Sequence, residues 1–403
     1  MSRGTIRGQT AGLPRFFKKI YTVRVWSLYG GLKMATIDEQ IAEIEAEILK
    51  TQKNKATEAH IGKLRAKIAK LTAEKEKRIE ATKSSGGTKG FYVKKAGSAT
   101  VALVGFPSVG KSTLLNQLTG AHSETGAYHF TTLDVVPGMM EYNHAKIQIL
   151  DMPGLIKDAS RGKGRGREVI AAARSADVIL LVVDIFQPDM HVLLNELYRS
   201  AIRLNQYPPD VNVIVGSQGG INIQPTLTLT KMTVEDAKGI VEAFGYINAT
   251  VVIREDITPD QLLDVLAGNR VYIKAVMAIN KVDLAKPGQL EAVQQMHSMF
   301  KSVGVSAATG YAMDDLKQEI YDQIGMIRIY LKPQGQEADM KEPMIIKDGN
   351  TVGDVAELIH RDFRNAFRYA MVWGKSAKFP GQTVGMDHVL RDEDILCIIV
   401  KRS

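Results

Sequence analysis

Gly105-Phe106-Pro107-Ser108-Val109-Gly110-Lys111-Ser112 follows an apolar run, Ala99 to Val104, and leads into Thr113 to Leu118, which has helical spacing. Strand, glycine loop and helix in that order form the setting of the phosphate-binding pattern G-x-x-x-x-G-K-[ST]. Gly105 and Gly110 let backbone N–H groups approach phosphate oxygens, and the helix N-terminus adds a favourable dipole. A chance match in a chain of this size has odds on the order of one or two per cent at ordinary glycine usage. An ordinary glycine turn therefore carries little weight here. The pattern implies a nucleoside triphosphate, with Lys111 at the β and γ phosphates and the Ser112 hydroxyl on Mg²⁺. Phe106, Pro107, Ser108, Val109 and Thr113 complete the expected loop contacts.

The base is indicated further along. Ala275 to Ile279 reads as a strand ending in Asn280-Lys281-Val282-Asp283. A carboxylate at Asp283 can accept from guanine N1–H and the exocyclic amine, a donor pair that adenine lacks. Asn280 is expected on the N7/O6 side and the Lys281 stem across the ring face. Ser306-Ala307-Ala308 suits a loop whose backbone N–H meets guanine O6. Between these elements, Asp151-Met152-Pro153-Gly154 follows the strand Ile147 to Leu150. Asp151 is placed to hold Mg²⁺ through water, and the Gly154 N–H to sense the γ-phosphate. Tyr128 to Leu133 lies where a threonine should complete the Mg²⁺ shell. A loop held only by the γ-phosphate and its metal collapses when that phosphate leaves, which is the basis of a switch.

Taken together, GFPSVGKST, YHFTTL, DMPGLIKDASRGKGRGREVI, NKVD and SAA resemble the Obg-related translation GTPases. The run Gly162 to Arg167 and the C-terminal region point to the branch of developmentally regulated GTP-binding proteins, over Met34 to Ser403. The resemblance implies GTP hydrolysis with Mg²⁺, a ribosome or RNA destination, and the Mg²⁺ role on Thr132, the second threonine of the pair. Leu155 departs from the Ras-like pattern. It stands where Ras-type enzymes place the glutamine that orients water, so intrinsic turnover should be slow. The missing group is expected from a monovalent cation such as K⁺ or from a protein co-factor. K⁺-dependent relatives carry an asparagine at the position of Ser108, which leaves that choice open. His129 and Arg165 are secondary candidates, since such loop side chains are more often solvated or partner-facing.

The regions around this site divide the chain. Ile37, Ile41, Ile44 and Ile48 recur at helical spacing, as do Ile61, Leu64, Ile68 and Leu71. With polar Thr51 to His60 between them, residues 34–83 are expected to form a helical hairpin with narrow apolar stripes. From Lys50 to Lys95 there are 14 basic residues and four acids. That side reads either as an RNA-backbone contact or as a solvated face with pairs such as Glu74 and Arg78; the residues leave both open. Residues 84–97 form a linker. The GTPase domain is expected over 98–207 and 271–325, with strands Ala99 to Val104 and Val178 to Asp184 and a helix over Asp189 to Gln206. Residues 208–270 hold their own strands (Val211 to Val215, Ala249 to Ile253) and helices (Val234 to Phe244, Pro259 to Ala267), so they form an inserted α+β subdomain. Residues 326–403 place strands around one helix carrying Val352, Val355, Leu358, Ile359 and Phe363, a β-grasp arrangement like the TGS domain that the resemblance implies. Trp373 to Phe379 interleaves bases with aromatics, either as an RNA platform or, preferred, as core residues.

Composition narrows the class. The chain has 403 residues, 45% hydrophobic and 24% charged, enough for more than one core. One cysteine, Cys397, excludes an internal disulfide framework and suits a reducing cytoplasm. The apolar run Val178 to Val183 is far short of a membrane span. The net charge of +8 is concentrated in residues 1–33, where seven basic residues meet no acid. Those residues are no signal peptide, because Arg24 interrupts the apolar stretch. They read as a disordered extension in preference to a basic RNA-binding arm. The chain is expected to be an α/β protein: a P-loop GTPase domain with a mostly parallel sheet, a helical hairpin before it, an insertion within it and a β-grasp after it. Its expected role is a cytoplasmic translation switch. A GTP-regulated scaffold that controls a protein partner without RNA is the alternative.

Overall fold

The computed structural model describes residues 36–52, 55–84, 96–120, 136–152 and 166–401. The extension over 1–33, most of the linker, His129, Thr131, Thr132, Gly154, Leu155 and Gly162 to Arg165 lie outside the described residues.

Two helices open the described chain, α1 (Ile37–Lys50) and α2 (Lys55–Ser84). Thr36 caps α1 in a reciprocal pair with Glu39. The helices run antiparallel, with Lys75 bonded to Asp38 at one end and His60 Nε2 3.2 Å from Glu47 Oε1 at the other. Helix α2 begins inside the polar stretch expected to separate the helices, because its residues there are good helix formers.

Apolar runs then build the central sheet. Strands β1 (Ala99–Val104), β2 (Val136–Tyr142), β3 (Ala145–Asp151) and β4 (Val178–Asp184) are joined by β5 (Ile202–Leu204). β6 (Val211–Val215), β7 (Ile221–Pro225) and β8 (Ala249–Ile253) form a separate sheet, and β9 (Val271–Asn280) and β10 (Lys301–Gly304) return to the first. The main order is β10-β9-β4-β1-β3-β2, with β5 also on β9. Every pairing in this sheet is parallel except β2 with β3. β1 and β4 are buried along their whole length, as parallel strands covered by helices on both faces must be. One face packs Leu114, Leu115 and Leu118 of α3 (Lys111–Thr119); the other packs Val169 and Ala173 of α4 (Gly166–Ser175) and Leu193 and Leu197 of α5 (His191–Arg199). The helix expected to continue to Gln206 ends at Arg199. Ala201 turns left-handed (φ 62), and Ile202 to Leu204 pair with Val271 to Ile273, so strand pairing overrides the helical pattern.

The three-stranded sheet, in order β6-β8-β7, is covered by α6 (Val234–Phe244) and α7 (Pro259–Ala267), each opened by a threonine capping box. Ala66 of α2 belongs to this core with Ile240, Val251 and Leu262. Gly62 is buried against Ile240, with room for no more than a methyl group: a Cβ there would lie 3.4 Å from Ile240 Cδ1. Arg65 Nη1 donates to both oxygens of Asp260 at 2.8 Å. The hairpin is thus seated on the insertion, with Lys63 over Gly239 and Lys70 over Gly245; these two lysines and Lys67 keep exposed surface.

After α8 (Gln289–Met296) and α9 (Met313–Ile324), a five-stranded sheet closes the chain. Its strands are β11 (Met326–Leu331), β12 (Met344–Lys347), β13 (Phe367–Trp373), β14 (Gln382–Val384) and β15 (Asp394–Val400), in the order β12-β11-β15-β13-β14. The expected single helix is two, α10 (Val352–Ile359) and α11 (Arg361–Ala366), because His360 is extended at φ −161 and ψ 136. Val352 and Val355 pack on Ile329, Val372 and Leu396. Trp373 is half-buried beside Gly381, whereas Phe379 is 60% exposed and is not a core residue.

Candidate nucleotide site

Strand register gathers the functional residues at one sheet end. Leu103 lies opposite Asp151, and Asp184 opposite Asn280. The phosphate loop, Asp151, Asp184 and Asn280 therefore sit at the carboxyl ends of β1, β3, β4 and β9, the crevice where open α/β sheets bind ligands.

Within the loop, Gly110 is left-handed at φ 94, and a Cβ there would fall 2.4 Å from Asn280 Nδ2. Glycine is required on both counts. Gly105 is buried, with space for a Cβ denied by the Val182 carbonyl at 2.4 Å. Ser108 is also left-handed, at φ 64. Pro107, Ser108, Ser112 and Thr113 are exposed, and Val109 is buried beneath them. Lys111 Nζ donates to the carbonyls of Gly105 at 3.0 Å and Phe106 at 2.9 Å. Burial pushes this ammonium below the ordinary lysine range, and the charge of Asp151 pulls partly the other way. A partly desolvated cation in a glycine loop at a helix N-terminus is suited to a polyphosphate.

The Ser112 hydroxyl donates to Asp151 Oδ2 at 2.6 Å. Asp151 is 6% exposed, and its Oδ1 is buried without a hydrogen-bond partner among the described residues. A buried, unsatisfied carboxylate oxygen next to a hydroxyl is an oxygen donor set of the kind Mg²⁺ takes, so these residues fit the ion.

The base loops are held together by Asn280, which is 3% exposed. Its Nδ2 donates to Val109 O at 2.8 Å, and its Oδ1 accepts from Ala307 N–H at 2.9 Å. This differs from the expected contact with N7/O6: the amide braces two loops against each other, because it is buried between them. Lys281, left-handed at φ 67, donates to Asp184 Oδ2 at 2.6 Å and Ser108 O at 3.2 Å. Local motifs do not point to Asp184, whose pairing is set by strand register. Asp283 lies on an exposed 3-10 turn (Val282–Leu284) and makes no ion pair or hydrogen bond with the described residues, so its carboxylate is available. Ser306 is fully buried, Ala307 is buried and Ala308 is exposed at the loop surface. A groove of about 390 Å³ lined by Phe106, Gln187, Pro188, Asp189 and Met296 touches the phosphate loop only at Phe106, and does not include Lys111 or Asp283.

Comparison with known proteins agrees with this architecture. Residues 100–215 match the family model described as 50S ribosome-binding GTPase, 218–326 match the C-terminal region of that domain, and 327–400 match the TGS domain. The chain is 54% identical over 369 residues to a GTP-binding protein of Methanocaldococcus jannaschii, covering 91% of this chain and 93% of that one. It is 44% identical over 368 residues to Developmentally-regulated GTP-binding protein 1 of Xenopus laevis, covering 90% and 98%. It is also 44% identical to Developmentally-regulated G-protein 2 of Arabidopsis thaliana over 372 residues, covering 91% and 92%. The fold and domain matches define a P-loop GTPase, an enzyme that binds and hydrolyses GTP. The chain belongs to the developmentally regulated GTP-binding protein family.

Proposed function

We propose that this GTPase is a switch on the translation machinery in the cytoplasm, reaching the ribosome through RNA. The observation that carries the reading is the basic side of α2. Lys63, Lys67 and Lys70 recur at helical spacing and are exposed, with Lys63 lying over Gly239 and Lys70 over Gly245, so the basic row runs along the seam between α2 and the insertion. Phosphates neutralised by such a row release counterions and give salt-dependent binding. The match of residues 100–215 to a model described as a 50S ribosome-binding GTPase supports the same destination.

In this reading Gly105 to Thr113 cradle the phosphates and Lys111 neutralises the β and γ oxygens. Ser112 and Asp151 hold Mg²⁺, joined by Thr132; the bound ion neutralises charge developing on the transferred phosphoryl group. Gly154 senses the γ-phosphate. Asp283 reads guanine, with Lys281 over the ring and Ala307 and Ala308 near O6. Leu155 offers no group to orient water, so turnover is slow until K⁺, a protein co-factor or the ribosome supplies or orders one.

GTP turnover by the purified protein in potassium and sodium buffers, with and without ribosomes, tests this. Strong stimulation by ribosomes is expected. A flat, slow rate in every condition would favour a GTP-regulated scaffold that acts on a protein partner.

A further inference from the structure

We infer that Asp184 is a positioning residue for nucleotide binding, acting through the ammonium of Lys281. The inference rests on the reading of Asn280 to Asp283 as the guanine site.

Asp184 ends β4 and lies opposite Asn280 in the parallel ladder with β9. It is 8% exposed. Its Oδ1 accepts from Phe186 N–H at 2.9 Å, which fixes the plane of the carboxylate. Its Oδ2 accepts from Lys281 Nζ at 2.6 Å, and the same Nζ donates to the Ser108 carbonyl at 3.2 Å. One ammonium therefore joins three elements: the end of β4, the phosphate loop and the turn that carries Asp283.

The physical consequence concerns freedom lost on binding. A lysine stem has many rotamers in solution, and ordering it over a purine ring costs conformational entropy. Here the two ends of the stem are already fixed, at a left-handed backbone (φ 67) and at Asp184. The stem is held between phosphate loop and base loop before the nucleotide arrives, which is preorganisation. Lys281 alone could hold Ser108 O, but a carbonyl is a weaker anchor for an ammonium than a buried carboxylate. Asp184 bonds to Phe186 and Lys281 and makes no hydrogen bond or ion pair with Lys111, Ser112 or Asp151 among the described residues. It should therefore govern the affinity for GTP and GDP alike and leave the chemical step alone.

A double-mutant cycle on the full chain tests this, with GDP and GTP affinities read by titration calorimetry. Asp184→Ala should weaken both by about tenfold, and Asp184→Asn, which keeps an acceptor and the Phe186 contact but loses the charge, by about threefold. The kcat at saturating GTP should stay within about twofold of the parent while KM rises. Lys281→Met keeps the apolar stem and removes the ammonium; in that background Asp184→Ala and Asp184→Asn should cost nothing further. Equal losses in both backgrounds would overturn the inference, as would unchanged affinity in the single variants. If Asp184→Ala does not fold, the cycle with Asp184→Asn decides between the same two outcomes. The underlying guanine assignment fails separately: Asp283→Asn with undiminished GDP affinity would remove it, whatever the cycle shows.

Discussion

Asn280 donates its side-chain amide to the Val109 carbonyl at 2.8 Å, linking residues 171 positions apart in the chain. With the bond from Ala307 N–H to its Oδ1, one buried side chain sets the spacing between the phosphate loop and the base loop. The site is therefore an assembly of loops held by side chains, and its weak points can be named.

Asn280→Ala leaves a carbonyl and an N–H unpaired in a buried place. The loss should be about 1–3 kcal/mol of stability, the usual cost of leaving such a group unsatisfied. Nucleotide affinity should fall more than stability, because both loops lose their brace. Thermal unfolding and GDP titration of the same preparation check the two effects.

Asp283→Asn should change which nucleotide binds. The amide places a donor where guanine presents its own donors, whereas xanthine offers an acceptor there. Affinity for GTP should fall by at least about a hundredfold, or ~2.7 kcal/mol, with a gain for xanthosine triphosphate. Competition titrations with the two nucleotides measure it, and unchanged GTP selectivity would remove Asp283 from the base site.

Lys111→Ala should abolish turnover, and Ser112→Ala should make nucleotide affinity less sensitive to Mg²⁺ by removing one of the three oxygen donors assigned to the ion. Lys111 also predicts a pH effect. Burial lowers its value on folding. Between the folded and unfolded values the unfolded chain holds more protons, so the nucleotide-free protein gains stability as pH rises toward the ordinary lysine value. Lys111→Met should lose this gain. Urea unfolding at about pH 8 and about pH 10, just below the ordinary lysine value, measures the difference.

Asp264 is the anchor of the insertion. It takes bonds from Arg203 Nε at 2.6 Å and Nη2 at 2.7 Å, and from Arg270 Nε at 2.8 Å, with side-chain exposures of 5%, 3% and 14% for Asp264, Arg203 and Arg270. Asp264→Ala would leave the buried guanidinium of Arg203 and the half-buried one of Arg270 without their carboxylate, at about 3–5 kcal/mol. A clear fall in the unfolding temperature is expected; an unchanged one would mean that water replaces the carboxylate.

These residues also mark where sequence patterns suffice. The phosphate loop and Asn280 to Asp283 are legible because a short backbone path brings their chemistry together. The insertion is legible because Val234 to Phe244 and Pro259 to Ala267 carry their own caps and apolar stripes. Asp184 is not, since its bond to Lys281 spans 97 positions and depends on the register of β4 with β9. The seat of α2 on the insertion escapes sequence reasoning as well. Gly62 and Ala66 lie at that contact, and small residues leave little trace in an apolar pattern. The helix expected over Asp189 to Gln206 fails at β5 for a similar reason, because a neighbouring strand outweighs local periodicity.

The proposed GTP control of ribosome contact, through basic residues such as Lys63, Lys67 and Lys70, is best tested by co-sedimentation. The full chain, loaded with GDP or with a non-hydrolysable GTP analogue, is sedimented with ribosomes across a salt series. Tighter binding is predicted in the triphosphate state, with a log–log salt slope near −0.7 to −0.9 per neutralised phosphate. Replacing the three lysines with alanine should reduce that slope by about three such steps. Absence of binding, or binding that ignores both nucleotide and salt, would contradict a GTP-controlled RNA contact.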